Sequence, residues 1–132
     1  MPDAIEVSTT LPATPRQIYL AWLSAKQHSA FTGGKATVQA KVGGHHTAWD
    51  GYIEGTTLTL EPYRRIVQSW RTSEFPADAP DSRLEVRLKA IRDGTRITLV
   101  HTNIPDGQAE QYREGWVEHY FQPMKAHFAK GR

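Results

Sequence analysis

Cysteine is absent from all 132 residues, which excludes disulfides, thiolate nucleophiles and cysteine-ligated metals and leaves stability to packing and hydrogen bonds. No apolar run approaches the roughly 20 residues that span a bilayer. The opening MPDAIEVSTT has neither the basic stretch nor the apolar run of a secretory signal, so a cytoplasmic protein is expected. An excess of one charge is also missing: 16 Lys and Arg face 14 Asp and Glu, for a formal net charge of +2. Spread along the whole chain, that surplus supplies no footprint for a nucleic-acid backbone. Neither glycine pair sits in a GxGxxG or GxxxxGK[ST] context, and there is no HExxH pattern, so a nucleotide loop and a zincin-type metal are unsupported. With 39% hydrophobic and 10% aromatic residues, the chain has enough apolar surface for one core, and its length fits a single domain over residues 1–132.

Residues Ala4 to Thr10 set Ile5, Val7 and Thr9 against Glu6, Ser8 and Thr10, the period-two pattern of a strand with one covered face. Thr14-Pro15-Arg16-Gln17 combines an N-cap, a proline at the first helical position and a capping-box glutamine, predicting a helix from Pro15 to Leu23. Ser24 to Gln27 repeats that spacing, and Gly33-Gly34 ends a second short helix near Phe31. A strand meander follows. Thr37 to Val42 alternates up to the Gly43-Gly44 turn, His45 to Trp49 returns, and Asp50-Gly51 predicts a two-residue type I′ hairpin. Gly55 is expected to mark a bulge in the next strand, which runs to Pro62. Arg64 to Thr72 forms another strand, and the Pro, Ala and Asp residues of Phe75 to Asp81 predict a mobile loop.

From Ser82 to Arg92, Leu84, Val86, Leu88 and Ala90 oppose Arg83, Glu85, Arg87 and Lys89, and Asp93-Gly94 turns the chain into a strand with Ile97, Leu99 and His101 inward. Beyond Pro105-Asp106-Gly107, the spacing of Tyr112, Trp116, His119, Tyr120, Pro123, Met124, His127 and Phe128 predicts a long amphipathic helix over 108–130, bent near Pro123. The order is that of an α+β protein, with helices on one side of an antiparallel sheet.

The segments Pro15 through Trp22, Ala30 to Gly34, Gly43-Gly44, Trp49-Asp50-Gly51, Leu60-Glu61-Pro62, Arg65-Ile66-Val67, Trp70-Arg71 and Phe75-Pro76 occur in a characteristic order. They continue through Gly94-Thr95, His101, Ile104-Pro105, Gly115-Trp116 and Tyr120-Phe121. Together they resemble the family similar to the C-terminal domain of the activator of heat-shock protein 90 ATPase, within the START-like (SRPBCC, Bet v 1-like) helix-grip superfamily. The resemblance covers nearly the whole chain. It implies a curved antiparallel sheet of about six to seven strands wrapped around a long C-terminal helix, with two short helices after the first strand. It also implies an internal cavity that elsewhere in the superfamily holds lipids, sterols, hormones or polyketides. Full eukaryotic activators carry an additional N-terminal domain that docks on the chaperone's middle segment, and no counterpart is expected in these 132 residues.

Trp22, Phe31, Trp49, Trp70, Tyr112, Trp116 and Tyr120 fall on faces that should point between sheet and helix, where aromatic walls with polar tips suit an apolar ligand. Met124 extends that wall. His101 and, by strand parity, Gln68 are the candidate polar groups that orient the ligand. The Phe75 to Asp81 loop and the second helix are the expected gates.

No catalytic constellation, cofactor or metal is expected. His45 and His46 are adjacent on a strand and point to opposite faces, while His119 and His127 lie two helical turns apart. Glu110, Glu114 and Glu118 form a solvated i,i+4 ladder. Arg83, Arg87, Lys89, Arg92 and Arg96, interrupted by Glu85, read as an exposed sheet face or a docking patch for an acidic partner. The functional expectation is a non-catalytic domain binding a small apolar or amphipathic ligand. Alternatives implied by the resemblance are a co-chaperone-like, stress-response module contacting a heat-shock protein 90 homologue and, more remotely, a polyketide cyclase-like enzyme.

Overall fold

The computed structural model describes residues 3–130. Strand β1 (Asp3–Leu11) leads into helices α1 (Pro15–Trp22) and α2 (Ala25–Thr32), then β2 (Thr37–Val38), β3 (His45–Ala48), β4 (Ile53–Glu61), β5 (Arg65–Thr72), β6 (Ser82–Ile91) and β7 (Gly94–Ile104). A last helical run comprises α3 (Ala109–Gly115), a π-helical segment (Trp116–Phe121) and α4 (Gln122–Lys130). The strands form one seven-stranded sheet in the order β1-β7-β6-β5-β4-β3-β2, and every neighbouring pair is antiparallel. This is the curved sheet and closing helix of the helix-grip fold.

Local chemistry sets the helix starts. Thr14 Oγ1 accepts from the Gln17 N–H at 3.1 Å while Gln17 Oε1 accepts from the Thr14 N–H at 2.8 Å, closing the capping box. Ser24 caps α2 by accepting from the Gln27 N–H, and Gly33 ends α2 at φ 89°, the left-handed position a Cβ would disfavour.

Four local expectations are corrected. The strand predicted over Thr37 to Val42 stops at Val38, because the Lys41 N–H turns back onto the Gln39 carbonyl and Gly43 and Gly44 exchange hydrogen bonds with Thr57. Ala40 and Val42 are left exposed. The β3–β4 connection is a four-residue loop, not a type I′ pair, with Trp49, Asp50 and Gly51 at φ 53°, 60° and 90°. Asp50 is tied to Lys35 through both its N–H and its carboxylate, and Gly34 lies so close under Trp49 that a Cβ there would sit 2.8 Å from the indole. The bulge falls at Leu58, where the β4–β5 register shifts between Thr57 and Thr59, and not at Gly55. Ala90 is exposed, whereas Glu85 on the outward face is buried.

The final helix buries Tyr112, Trp116, Tyr120, Phe121, Met124 and Phe128 in the same cluster as the inward sheet residues Ile66, Trp70, Leu84, Val86, Ile97 and Leu99. Pro123 has no N–H to offer the His119 carbonyl. The disturbance expected at Pro123 is taken up one turn earlier by the π segment, where the Gln122 N–H reaches back to the Val117 carbonyl. The wider turn lets the adjacent Tyr120 and Phe121 both face inward.

Gly55 pairs with His46 across β3–β4, and a Cβ there would meet the Ser69 carbonyl oxygen at 1.8 Å and His46 Nε2 at 2.7 Å. Gly55→Ala should therefore lower the unfolding free energy by about 3 kcal/mol, read by urea denaturation. Gly115→Ala, where a Cβ meets nothing within 4 Å in a helical backbone, should raise it by about 0.5–1 kcal/mol.

Candidate functional site

Between the closing helix and the β3–β5 end of the sheet lies a cavity of about 300 Å³. Trp49 and Tyr52 come from the β3–β4 loop, Ile53 and Trp70 from the sheet, and Tyr112, Gly115, Trp116, His119 and Tyr120 from the helical run. Ile53, Trp70, Tyr112, Trp116 and Tyr120 are buried, whereas Trp49, Tyr52, Gly115 and His119 retain exposure and form the mouth. The rings pack at close range, with Trp70 5.0 Å from Tyr112 and 5.5 Å from Trp116, and Trp116 4.8 Å from Tyr120.

Five of the ten residues expected to line the site meet here: Trp49, Trp70, Tyr112, Trp116 and Tyr120. Trp22, Phe31, Gln68, His101 and Met124 lie in the core behind the cavity and do not line it. Gln68 is engaged elsewhere, accepting from Trp22 Nε1–H at 3.1 Å and donating to Thr57 Oγ1 at 3.2 Å. None of the lining residues belongs to α2 or the Phe75–Asp81 loop. That loop is pinned, with Arg71 donating to the Ala79 and Pro76 carbonyls and to Asp81, and Phe75 is buried.

Three of the inner walls, Trp116, Tyr120 and Tyr112, are fastened from behind. Trp116 Nε1–H donates to His101 Nδ1 at 3.1 Å; Nε2 therefore carries the proton and donates to Ser82 Oγ at 2.8 Å, and Ser82 donates to the Trp70 carbonyl at 2.6 Å. One imidazole thus links two walls of the cavity. On the other side His28 Nδ1–H donates to the Trp22 carbonyl, leaving Nε2 to accept from the Tyr120 hydroxyl, both at 2.9 Å. The Tyr112 hydroxyl donates to Gln108 Oε1 at 2.6 Å and receives from Thr72 at 2.7 Å, while the Tyr52 hydroxyl donates to Glu74. The polar tips of Tyr52, Tyr112, Trp116 and Tyr120 thus have partners that do not line the cavity, and no carboxylate, lysine or arginine is among its lining residues.

Burial is the main cause of the titration shifts. It holds His101 down at about 3 and His28 at about 4, the latter against the opposing hydrogen bond to the Trp22 carbonyl. Burial, followed by the Glu74 hydrogen bond, pushes Tyr52 up to about 12, and burial raises Tyr112 and Tyr120 as well. Neutral imidazoles are what the network requires, since protonated His101 could not accept from Trp116, nor protonated His28 from Tyr120.

Tyr52, Ile53, Gly115, His119 and His28 are absent from the expected set. Tyr52 was legible only as the residue after a turn, and no local pattern marks His28, whose partners lie 6 and 92 positions away. Among the described residues no group of three or more His, Asp or Glu side chains could hold a metal ion. His45 is exposed and His46 is buried against the Ser69 carbonyl, while His119 packs on Trp49 and His127 on Phe31.

The folded pKa values of His28 and His101 lie below their ordinary 6.5, so the unfolded chain binds the extra protons in acid. Stability is fully present above pH 6.5 and declines as pH falls towards 4, by about 1.4 kcal/mol per unit per histidine. Urea denaturation at pH 5 should give an unfolding free energy several kcal/mol below that at pH 7, and the double variant His28→Leu/His101→Leu should show a flatter profile.

The family model described as Activator of Hsp90 ATPase homolog 1-like protein matches residues 12–129. The human activator of 90 kDa heat shock protein ATPase homolog 1 is 27% identical over 127 residues, 96% of this chain but 37% of that protein, so the chain spans just over a third of the relative's length. Among solved structures, an HSP90 activator from Plasmodium falciparum superposes with a TM-score of 0.86 at 22% identity, over 93% of this chain and 94% of that one. CalU16 from Micromonospora echinospora superposes at 0.76 and 20% identity, covering 98% and 80%. With the fold, the match along nearly the whole chain places this protein in the Activator of Hsp90 ATPase homolog 1-like family.

Proposed function

We propose that this chain is a non-catalytic helix-grip module that holds one small apolar or amphipathic molecule between the sheet and the closing helix. The aromatic cavity carries the reading: about 300 Å³ lined by six aromatic side chains, Ile53, Gly115 and His119, with the polar tips of Tyr112, Trp116 and Tyr120 engaged elsewhere. Desolvating a rigid ring surface costs little, so an apolar guest gains most of its transfer free energy on entry. Gly115 is the natural place to test it, since it lines the cavity and a Cβ added there meets nothing within 4 Å. Protein purified from its own host should show a stoichiometric adduct by native mass spectrometry that vanishes on denaturation. Gly115→Leu should lose the adduct with an undiminished melting temperature; an adduct retained by that variant places the ligand elsewhere and sinks the assignment.

A second reading is supported by the sequence relatives: a co-chaperone-like module acting on a 90-kDa heat-shock protein homologue. The human activator matches 96% of this chain, and the chain covers 94% of the Plasmodium falciparum activator structure. Co-elution with that chaperone and faster ATP hydrolysis in its presence are the expected outcomes, and failure of both removes the reading. Gly115→Leu should leave both intact, because this contact uses the surface and not the interior.

A further inference from the structure

Strands β5, β6 and β7 carry Arg65, Arg71, Arg83, Arg87, Lys89 and Arg96 against a single carboxylate, Glu85. Arg71 turns to Asp81 and the adjoining loop. The other five share the outer face of the sheet, away from the cavity, and their register sets like charges directly opposite one another. Arg65 stands across from Arg87, and Lys89 across from Arg96. Like-charged cross-strand pairs cost stability, and packing does not demand them on an exposed face.

Glu85 relieves one pair. Its carboxylate, 7% exposed, accepts from Arg65 Nε at 2.6 Å and Arg87 Nε at 2.9 Å, with Arg83 at 3.6 Å. The Arg87 and Arg65 guanidiniums hold that carboxyl down at about 2 against the effect of burial. One buried anion therefore gathers three guanidiniums, of which Arg65 is held as well by Glu61 of β4 at 2.9 Å, while the Arg83 and Arg87 side chains stay 44% and 56% exposed. Nothing relieves the second pair. Arg96 donates only to Ser8 Oγ at 3.2 Å, and Lys89 has no ion pair or hydrogen bond among the described residues.

We propose that this outer face is a docking surface for an acidic protein segment rich in Asp and Glu, with Lys89 and Arg96 as its open contacts and Glu85 as the internal clamp that orients Arg65 and Arg87. Charge complementarity argues for carboxylates: fixed guanidinium forks match their planar geometry. Nucleic acid is the poorer fit. The exposed positions here carry no aromatic platform for bases, Glu6 and Glu85 interrupt a continuous phosphate track, and the whole chain is only +2. The assignment does not depend on what the cavity holds.

The test is a fluorescence-anisotropy titration of a fluorescein-labelled decaglutamate peptide with the full chain. Binding is expected in low salt, weakening at least tenfold in 0.3 M NaCl as exposed charges are screened. Lys89→Glu/Arg96→Glu should weaken it at least tenfold, while Lys26→Glu/Lys125→Glu, the same charge change on exposed helical positions, should alter it less than threefold. Lys89→Gln/Arg96→Gln, expected to lose at least threefold, keeps the test available if the charge reversal prevents folding. Absence of binding in low salt, equal losses in the two charge-reversal variants, or tighter binding of a ten-nucleotide RNA would each overturn the assignment.

Discussion

The hydrogen bond from the Trp116 indole to Nδ1 of His101 joins the closing helix to the centre of the sheet. His101 is fully buried on β7, and its other nitrogen reaches β6 through Ser82 and then the backbone of β5 at Trp70. One neutral imidazole thus ties three strands and the helix into a single register. Because a lone ring nitrogen must stay unprotonated for this to hold, the arrangement works only where desolvation defeats protonation. His28 repeats the device at the α1–α2 side, receiving the Tyr120 hydroxyl and holding the Trp22 carbonyl.

These tethers explain why the space between helix and sheet remains open. A helix free to settle would slide its aromatic side chains into the gap, since close packing is the favoured state of an interior. Here Trp116, Tyr120 and Tyr112 are each fastened by their polar atoms to partners behind the wall. The π turn brings Tyr120 and Phe121 inward together, and a Cβ added at Gly115 would meet nothing within 4 Å. The outer face follows a different logic, in which one buried carboxylate organises a field of cations whose charge exceeds its own. Interior and exterior are thereby available to separate tasks.

Much of the fold was legible because its signals are local. The capping box at Thr14, the Ser24 N-cap, the alternation of Leu84, Val86 and Leu88, and the inward parity of Ile97, Leu99 and His101 stand in the structure as read. The errors arise where a distant segment decides the backbone. Gly43 and Gly44 bond to Thr57 and end β2 early, Lys35 holds the Asp50 turn open, and a bulge at Leu58 resets the β4 register. Of the expected site, the aromatics that face the β3–β5 end line the cavity, whereas Trp22, Phe31, Gln68, His101 and Met124 share the same inward faces yet lie behind it. Periodicity reports which face a residue occupies but not how far along the groove it sits.

From its sequence alone this protein had a determined class: an α+β fold, strand and helix order, and an aromatic interior beneath a long amphipathic helix. Those features follow from chain periodicity and capping chemistry, which operate over a few residues. Tertiary structure alone decided which rings bound empty space, which histidines are forced neutral, and that Glu85 is buried beneath arginines on an outward face. Each of these depends on atoms brought together from far along the chain, such as His28 with Tyr120 or Arg65 with Glu85, and no local pattern encodes such a meeting.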